Sequence, residues 1–197
     1  VPERKPRADA LRNREAVLAA ADRLFAECAR PEDVTMADIA AAAGVGKGTL
    51  FRGFADRTGL ILALCEARLE PLRRAVADGP PPLGPGTPPV ERVHALLDAV
   101  LCFKLDHRHL SLALEGTGSD SPYRTDHYDW WHRTLRDVLA EIPGLTGAGF
   151  TAHALLAAVR ADLVDHLVDR EHMTRESLRA DLAAHVTRVL REPDAGP

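Results

Sequence analysis

Apolar residues recur at intervals of three and four along most of the chain, and the interruptions fall at glycine and proline. Val17, Leu18, Ala21, Leu24, Phe25 and Cys28 form one such stripe, which predicts a first helix ending before Pro31. Thr35 and Asp38 are spaced as a capping box, and Met36, Ile39, Ala40 and Ala43 then share one helical face. Gly44 supplies a left-handed stop and Val45 an apolar plug behind it. A second short helix is predicted to start near Gly46. Lys47, Thr49 and Arg52 fall on its outer face, while Leu50, Phe51 and Phe54 are expected to turn inward. One side would pack and the other would be free to enter a major groove.

Further along, Ile61, Leu64, Cys65, Leu69 and Leu72 predict a fourth helix from Asp56 toward Val76, which Pro71 should kink or end. The run GPPPLGPGTPP at 79–89 excludes a helix and reads as an exposed, poorly ordered loop. Thr87, Pro88 and Pro89 open the next helix, with Val93, Leu96, Leu97, Val100, Leu101 and Leu105 on its apolar face. Helices are then predicted at 108–115, from Pro122 to just before Pro143, at 149–170 and at 174–191. The fold class is all-α. A three-helix helix-turn-helix domain at 1–55 is followed by a linking helix at 56–78 and a helical domain at 79–197.

The chain has 197 residues, 46% apolar and 27% charged, a balance ordinary for a globular protein. No apolar run approaches the ~20 residues of a membrane span and no apolar leader precedes the first helix, so a cytoplasmic location with no membrane partner is expected. Cys28, Cys65 and Cys102 are far apart and odd in number, and read as reduced core thiols. The net charge of −4 hides an asymmetry, because residues 1–75 carry more basic than acidic groups and the remainder more acidic. Arg4, Lys5, Arg7, Arg12 and Arg14 precede the first stripe as a basic arm that could lie along phosphates.

The stretch 17–64, with Ile39, Ala43-Gly44-Val45, Thr49-Leu50-Phe51 and Phe54 in fixed register, closely resembles the N-terminal domain of the tetracycline-repressor (TetR) family of bacterial transcription regulators. The resemblance implies an all-helical homodimer with one DNA-binding and one ligand-binding domain per subunit, a palindromic double-stranded operator and a small-molecule effector. The DNA-contact candidates are Thr35, Lys47, Gly48, Thr49, Phe51, Arg52 and Arg57, with Arg12 from the arm. Phe51 stands where the family usually has a phosphate-binding tyrosine, Gly53 where histidine is common, and Gly59 where a glutamate helps cap the next helix. In the family the last two long helices form the dimer interface, which points here to Leu155, Ala158, Leu163, Leu167, Leu178, Leu182, Val186 and Val189. Periodicity alone cannot divide that surface from the subunit's own core.

No phosphate loop, nucleophile elbow or paired-cysteine motif occurs, so no enzyme activity and no cofactor are expected. All nine histidines follow residue 90. Asp162, His166 and Asp169 align at helical steps, which would suit a metal, but polar pocket or surface roles are favoured because no dense ligand motif supports one. Tyr128, Trp130 and Trp131 on one helix point instead to a small-molecule pocket. Its lining candidates are Phe103, His107, Leu112, Tyr128, Trp131, Leu135, Leu155, Val159 and Asp162. These features together predict a ligand-responsive, sequence-specific DNA-binding regulator, most simply a repressor released by its effector. The alternative is a helical small-molecule or metal-binding protein that has lost operator recognition.

Overall fold

A computed structural model describes residues 4–28, 33–116 and 126–191. Its ten helices are α1 (Arg4–Glu27), α2 (Met36–Ala42), α3 (Lys47–Phe54), α4 (Arg57–Asp78), α5 (Pro89–Asp106), α6 (Arg108–Gly116), α7 (Asp126–Ala140), α8 (Ala148–Ala157), α9 (Ala161–Asp169) and α10 (Arg175–Leu190). The chain divides into two compact units, Val1–Arg68 and Leu69–Pro197, and the division falls inside α4.

In the N-terminal unit, Val17, Ala20, Ala21 and Phe25 form the buried face of α1. Ile39 and Ala40 of α2, Leu50 and Phe54 of α3, and Leu60, Ile61, Leu64 and Cys65 of α4 are also buried. Burial pushes the Cys65 thiol up to about 12, with Glu66 adding to the shift, so it remains a protonated, inert core group. The Arg68 guanidinium spans from α4 to the Asp22 carboxylate of α1 through two hydrogen bonds. The expected basic arm is helical: α1 begins at Arg4, so Arg12 and Arg14 lie within it. Alanine, arginine, leucine and glutamate propagate the helix, and Pro6 falls in its first turn, where a missing N–H costs little.

In the C-terminal unit one core runs through Val93, Leu96, Leu97, Val100 and Leu101 of α5, Trp131, Leu135, Val138 and Leu139 of α7, Leu155 and Leu156 of α8, and Leu178, Leu182 and Val186 of α10. α4 continues through Pro71 to Asp78 and does not end there. Proline in a helix interior costs ~3 kcal/mol, but Leu69 and Val76 on either side are buried, and each contributes about 1.5–3 kcal/mol. Packing therefore outweighs the defect. The loop at 79–88 is mostly exposed, as expected, but it is anchored to the helices on either side. Arg92 donates to the carbonyls of Leu83 and Val76 at 2.9 and 2.8 Å, and Thr87 is buried. The helix start expected at Thr87, Pro88 and Pro89 is present, with Pro88 as the N-cap of α5. The helix start expected at Pro122 lies outside the described residues.

The predicted helix at 149–170 is two helices. α8 ends at Ala157 and α9 starts at Ala161, with Arg160 extended between them (φ −61°, ψ 144°). No proline or glycine marks the break. It is held by Glu115 of α6, whose Oε2 accepts the Ala161 amide at 2.7 Å in place of a carbonyl one turn back. Thr174 caps α10 by accepting from the Ser177 amide at 3.1 Å. Among the described residues no helix is long and apolar enough to cross a membrane.

Candidate nucleic-acid interface and the helical unit

Thr35 accepts the Asp38 amide at 3.2 Å, and the Asp38 carboxylate accepts the Thr35 amide at 3.0 Å, so the capping box is closed in both directions. The Thr35 hydroxyl, and then the Thr35 amide, donate to the Asp38 carboxyl and hold it below its usual range. The hydroxyl donates at 2.6 Å, so it is engaged within its own cap. Gly44 has φ +67°, the left-handed conformation that lets the chain pass from α2 to α3 through four intervening residues.

α3, KGTLFRGF, is a weak helix by composition. Gly48 and Gly53 each cost about 1 kcal/mol relative to alanine. Leu50 and Phe54, one helical turn apart and 1% and 6% exposed, offset this by burial on the order of 1.5–3 kcal/mol each. Phe51 does not turn inward as expected; it is 47% exposed. One residue corresponds to about 100° around a helix, so only Leu50 and Phe54 can share the buried face. The outward surface therefore consists of Lys47, Gly48, half-buried Thr49, Phe51 and Arg52. Arg52 bends back along its own helix, donating to the Gly48 carbonyl at 3.1 Å.

The turn after α3 is strained. Ala55 sits at φ 60°, ψ −64°, and the Asp56 amide donates to the Phe54 carbonyl at 2.7 Å, closing a γ-turn of the rarely populated hand. This fold-back explains Gly59. A Cβ there would lie 2.2 Å from the Phe54 carbonyl oxygen, so the glutamate implied by the family resemblance does not fit this backbone. Asp56 takes over the capping role, accepting the Gly59 amide at 2.8 Å. Two arginines read as phosphate contacts face other groups. Arg57 places its guanidinium carbon 5.2 Å from the Phe25 ring centroid, and Arg12 is paired with Asp9.

Of the expected pocket lining, Trp131, Leu135 and Leu155 are core, being 5%, 2% and 0% exposed. Asp162 is exposed, pairs with Arg160, and lines an open, polar surface depression with Asp165, His166 and Asp169. The Phe103 and His107 rings lie 4.8 Å apart, tilted by 57°, and Leu112 is half-buried. The Tyr128 hydroxyl lies 2.6 Å from His153 Nδ1, and the His132 and His153 rings stack at 3.8 Å. Val159 lines a groove of about 270 Å³ with Leu101, Ala158, Val164, Leu167 and Leu178. Of the interface candidates, Leu155, Leu178, Leu182 and Val186 belong to the subunit's own core. Leu163 is exposed, and Ala158, Leu167 and Val189 are half-buried. Asp169 pairs with Arg108, and among the described residues no three His, Cys, Asp or Glu groups are arranged to hold a metal ion.

Periodicity missed a buried polar cluster. Lys104 of α5, 11% exposed, donates to Glu115 Oε1 at 2.5 Å. Burial lowers its pKa and the Glu115 charge opposes the shift. Arg73 of α4 places Nη2 3.3 Å from His127 Nδ1 and its guanidinium over the Trp130 ring at 5.4 Å. Burial, with the charges of Arg73 and Lys104 adding, pushes His127 down to about 4. His127 is therefore neutral at pH 7, and Arg73 is the donor in that contact. A lysine within the stripe Val100-Leu101-Cys102-Phe103-Lys104-Leu105 was the signal available in the sequence.

Two helices crossing at a tight turn, the second docked by two residues and open on its other side, make the N-terminal unit a helix-turn-helix domain. Residues 17–64 match the model of the bacterial regulatory proteins of the tetR family. Similar solved structures extend the likeness over nearly the whole chain. A transcriptional regulator from Rhodococcus sp. Rha1 is 20% identical with a TM-score of 0.71, covering 93% of this chain and 99% of the other. NalD, the secondary repressor of the MexAB-OprM multidrug efflux pump in Pseudomonas aeruginosa, is 22% identical with a TM-score of 0.61, covering 95% and 100%. Thermus thermophilus FadR, a TetR-family repressor in complex with lauroyl-CoA, is 18% identical with a TM-score of 0.62, covering 93% and 99%. No curated protein matches the sequence.

Proposed function

We propose that this protein is a ligand-responsive transcriptional repressor that binds an inverted-repeat operator as a homodimer. The observation that carries the reading is the asymmetry of α3, with Leu50 and Phe54 buried while Lys47, Gly48, Phe51 and Arg52 face outward within a tetR-family domain. Lys47 supplies charge for a phosphate, Thr49 a hydroxyl for a base edge, and the exposed Phe51 ring an apolar surface of the kind that packs on a thymine methyl. Leu163, Ala158, Leu167 and Val189 are the remaining candidates for contact with the second copy.

The effector is assigned to the helical unit. NalD and FadR are both repressors, and FadR is seen with an acyl-CoA. The polar cluster of Arg73, Lys104 and His127 beside Trp130 would suit an effector with an apolar body and an acceptor-rich head. Binding that favours one of two subunit arrangements would change the spacing of the two α3 helices and so release DNA.

The test is selection from a random duplex pool with the full-length chain. Enrichment of an inverted repeat with half-sites about one helical turn apart is expected. Recovery of no common sequence would overturn the reading. Phe51→Ala should then lower affinity for the selected site and relax preference at one base pair per half-site.

A further inference from the structure

We infer that Arg14 is a positioning residue for the recognition helix, acting on DNA through α3 and not by touching phosphate. This rests on the proposed DNA-binding function. Arg14 lies on α1, 39 residues before its contact, and reaches across to the end of α3. Its Nη1 donates to the Gly53 carbonyl at 3.3 Å, and its guanidinium carbon sits 4.7 Å from the centroid of the Phe54 ring.

The end of α3 is where outside support matters. The last carbonyls of a helix have no partner further along it. The Phe51 carbonyl is taken by the Ala55 amide and the Phe54 carbonyl by the Asp56 amide, both supplied by the strained turn. The Gly53 carbonyl receives its hydrogen bond from Arg14. Gly53 brings no side chain and Gly48 little rigidity, so the angle of α3 depends on Leu50, Phe54 and whatever holds the Phe54 end. A guanidinium does this through two features at once, a planar face on the ring and an N–H on the carbonyl. A cation at a helix C-terminus also complements the helix dipole.

Positioning and phosphate contact differ in their signatures. A phosphate contact contributes equally to all sequences and steepens the salt dependence by about one counterion. Loss of a positioning contact lets α3 wander, which harms base readout more than non-specific attachment. Arg14→Ala in the full-length chain should therefore weaken binding to the selected operator by about fivefold, the scale of one exposed cation–π contact with a hydrogen bond. A scrambled duplex should be affected much less, and the slope of log affinity against log salt should not change. Arg14→Lys, which keeps the charge and loses the plane, should resemble Arg14→Ala in discrimination. Amide exchange over Leu50–Phe54 should quicken by a similar factor, while exchange in the α1 core around Ala21 stays as it was.

Equal losses on both duplexes with a shallower salt slope would make Arg14 a phosphate contact and overturn the inference. Full rescue by lysine, or unchanged exchange in α3, would do the same. Should the wild-type chain select no sequence, the proposed function fails, and exchange in α3 alone decides whether Arg14 holds the helix.

Discussion

The two units place their polar chemistry on opposite sides of their cores. In the N-terminal unit the short helix α3 is docked by two buried side chains, and its remaining residues face outward. In the C-terminal unit a lysine, a glutamate and a histidine are largely enclosed between helices, while ion pairs such as Arg175–Asp106 and Arg179–Asp98 lie at the surface. A protein that reads a large rigid polymer presents groups outward on a firm support. One that senses a small molecule must enclose it, and keeps polar groups where water is excluded.

This contrast predicts that single polar substitutions are costly inside the C-terminal unit and mild on the N-terminal one. The largest effect is expected at Glu115. Glu115→Ala leaves Lys104 as a buried cation and removes the acceptor that caps α9, so stability should fall by about 3–5 kcal/mol. Equilibrium denaturation of the helical unit checks this. Glu115→Gln should recover part of the loss because it keeps an acceptor for the Ala161 amide. A loss under 1 kcal/mol would show that the pair is effectively solvated.

Next in size is a pH effect. His127 has its pKa pushed down to about 4 in the folded protein, against 6.5 for the free side chain. Below 6.5 the unfolded chain binds a proton that the native state refuses, so stability is retained above that value and declines as pH falls toward 4. The decline should be on the order of 3 kcal/mol. His127→Gln should flatten this limb in denaturation curves measured across that range. An unchanged slope would assign the acid sensitivity to other groups.

The smallest effect belongs to the N-terminal unit. Ala55 holds a left-handed conformation that costs alanine about 1–3 kcal/mol, and glycine adopts it freely at the expense of more chain entropy when unfolded. Ala55→Gly should raise stability by about 1 kcal/mol and leave salt-dependent DNA binding unchanged, measured by thermal unfolding and by titration. Destabilisation would place the turn in another conformation.

Much of this molecule is local, and local features are visible in a sequence. The capping box at Thr35 and Asp38, the glycine stop at Gly44, the stripes of α1, α5 and α7 and the cap at Thr174 each follow from spacing between near neighbours, because hydrogen bonds and side-chain contacts within a helix reach only three or four residues. The helix-turn-helix register and its family likeness follow for the same reason. What spacing could not determine depends on residues that meet from distant parts of the chain. Phe51 carries an aromatic ring that suits a core, yet the geometry of α3 gives the buried face to Leu50 and Phe54. The 149–170 stripe reads as one helix because its break is made by Glu115, more than forty residues earlier. Arg14 and Arg57 read from the sequence as groups for phosphate, and only the fold brings the Phe54 and Phe25 rings beneath them. Leu155 and Val186 fit an interface as well as a core by period, and only packing assigned them to the core. The sequence determined most of the elements; tertiary structure decided where the 149–170 stripe breaks and which face of each element is inside, because burial is a property of neighbours that the chain order does not contain.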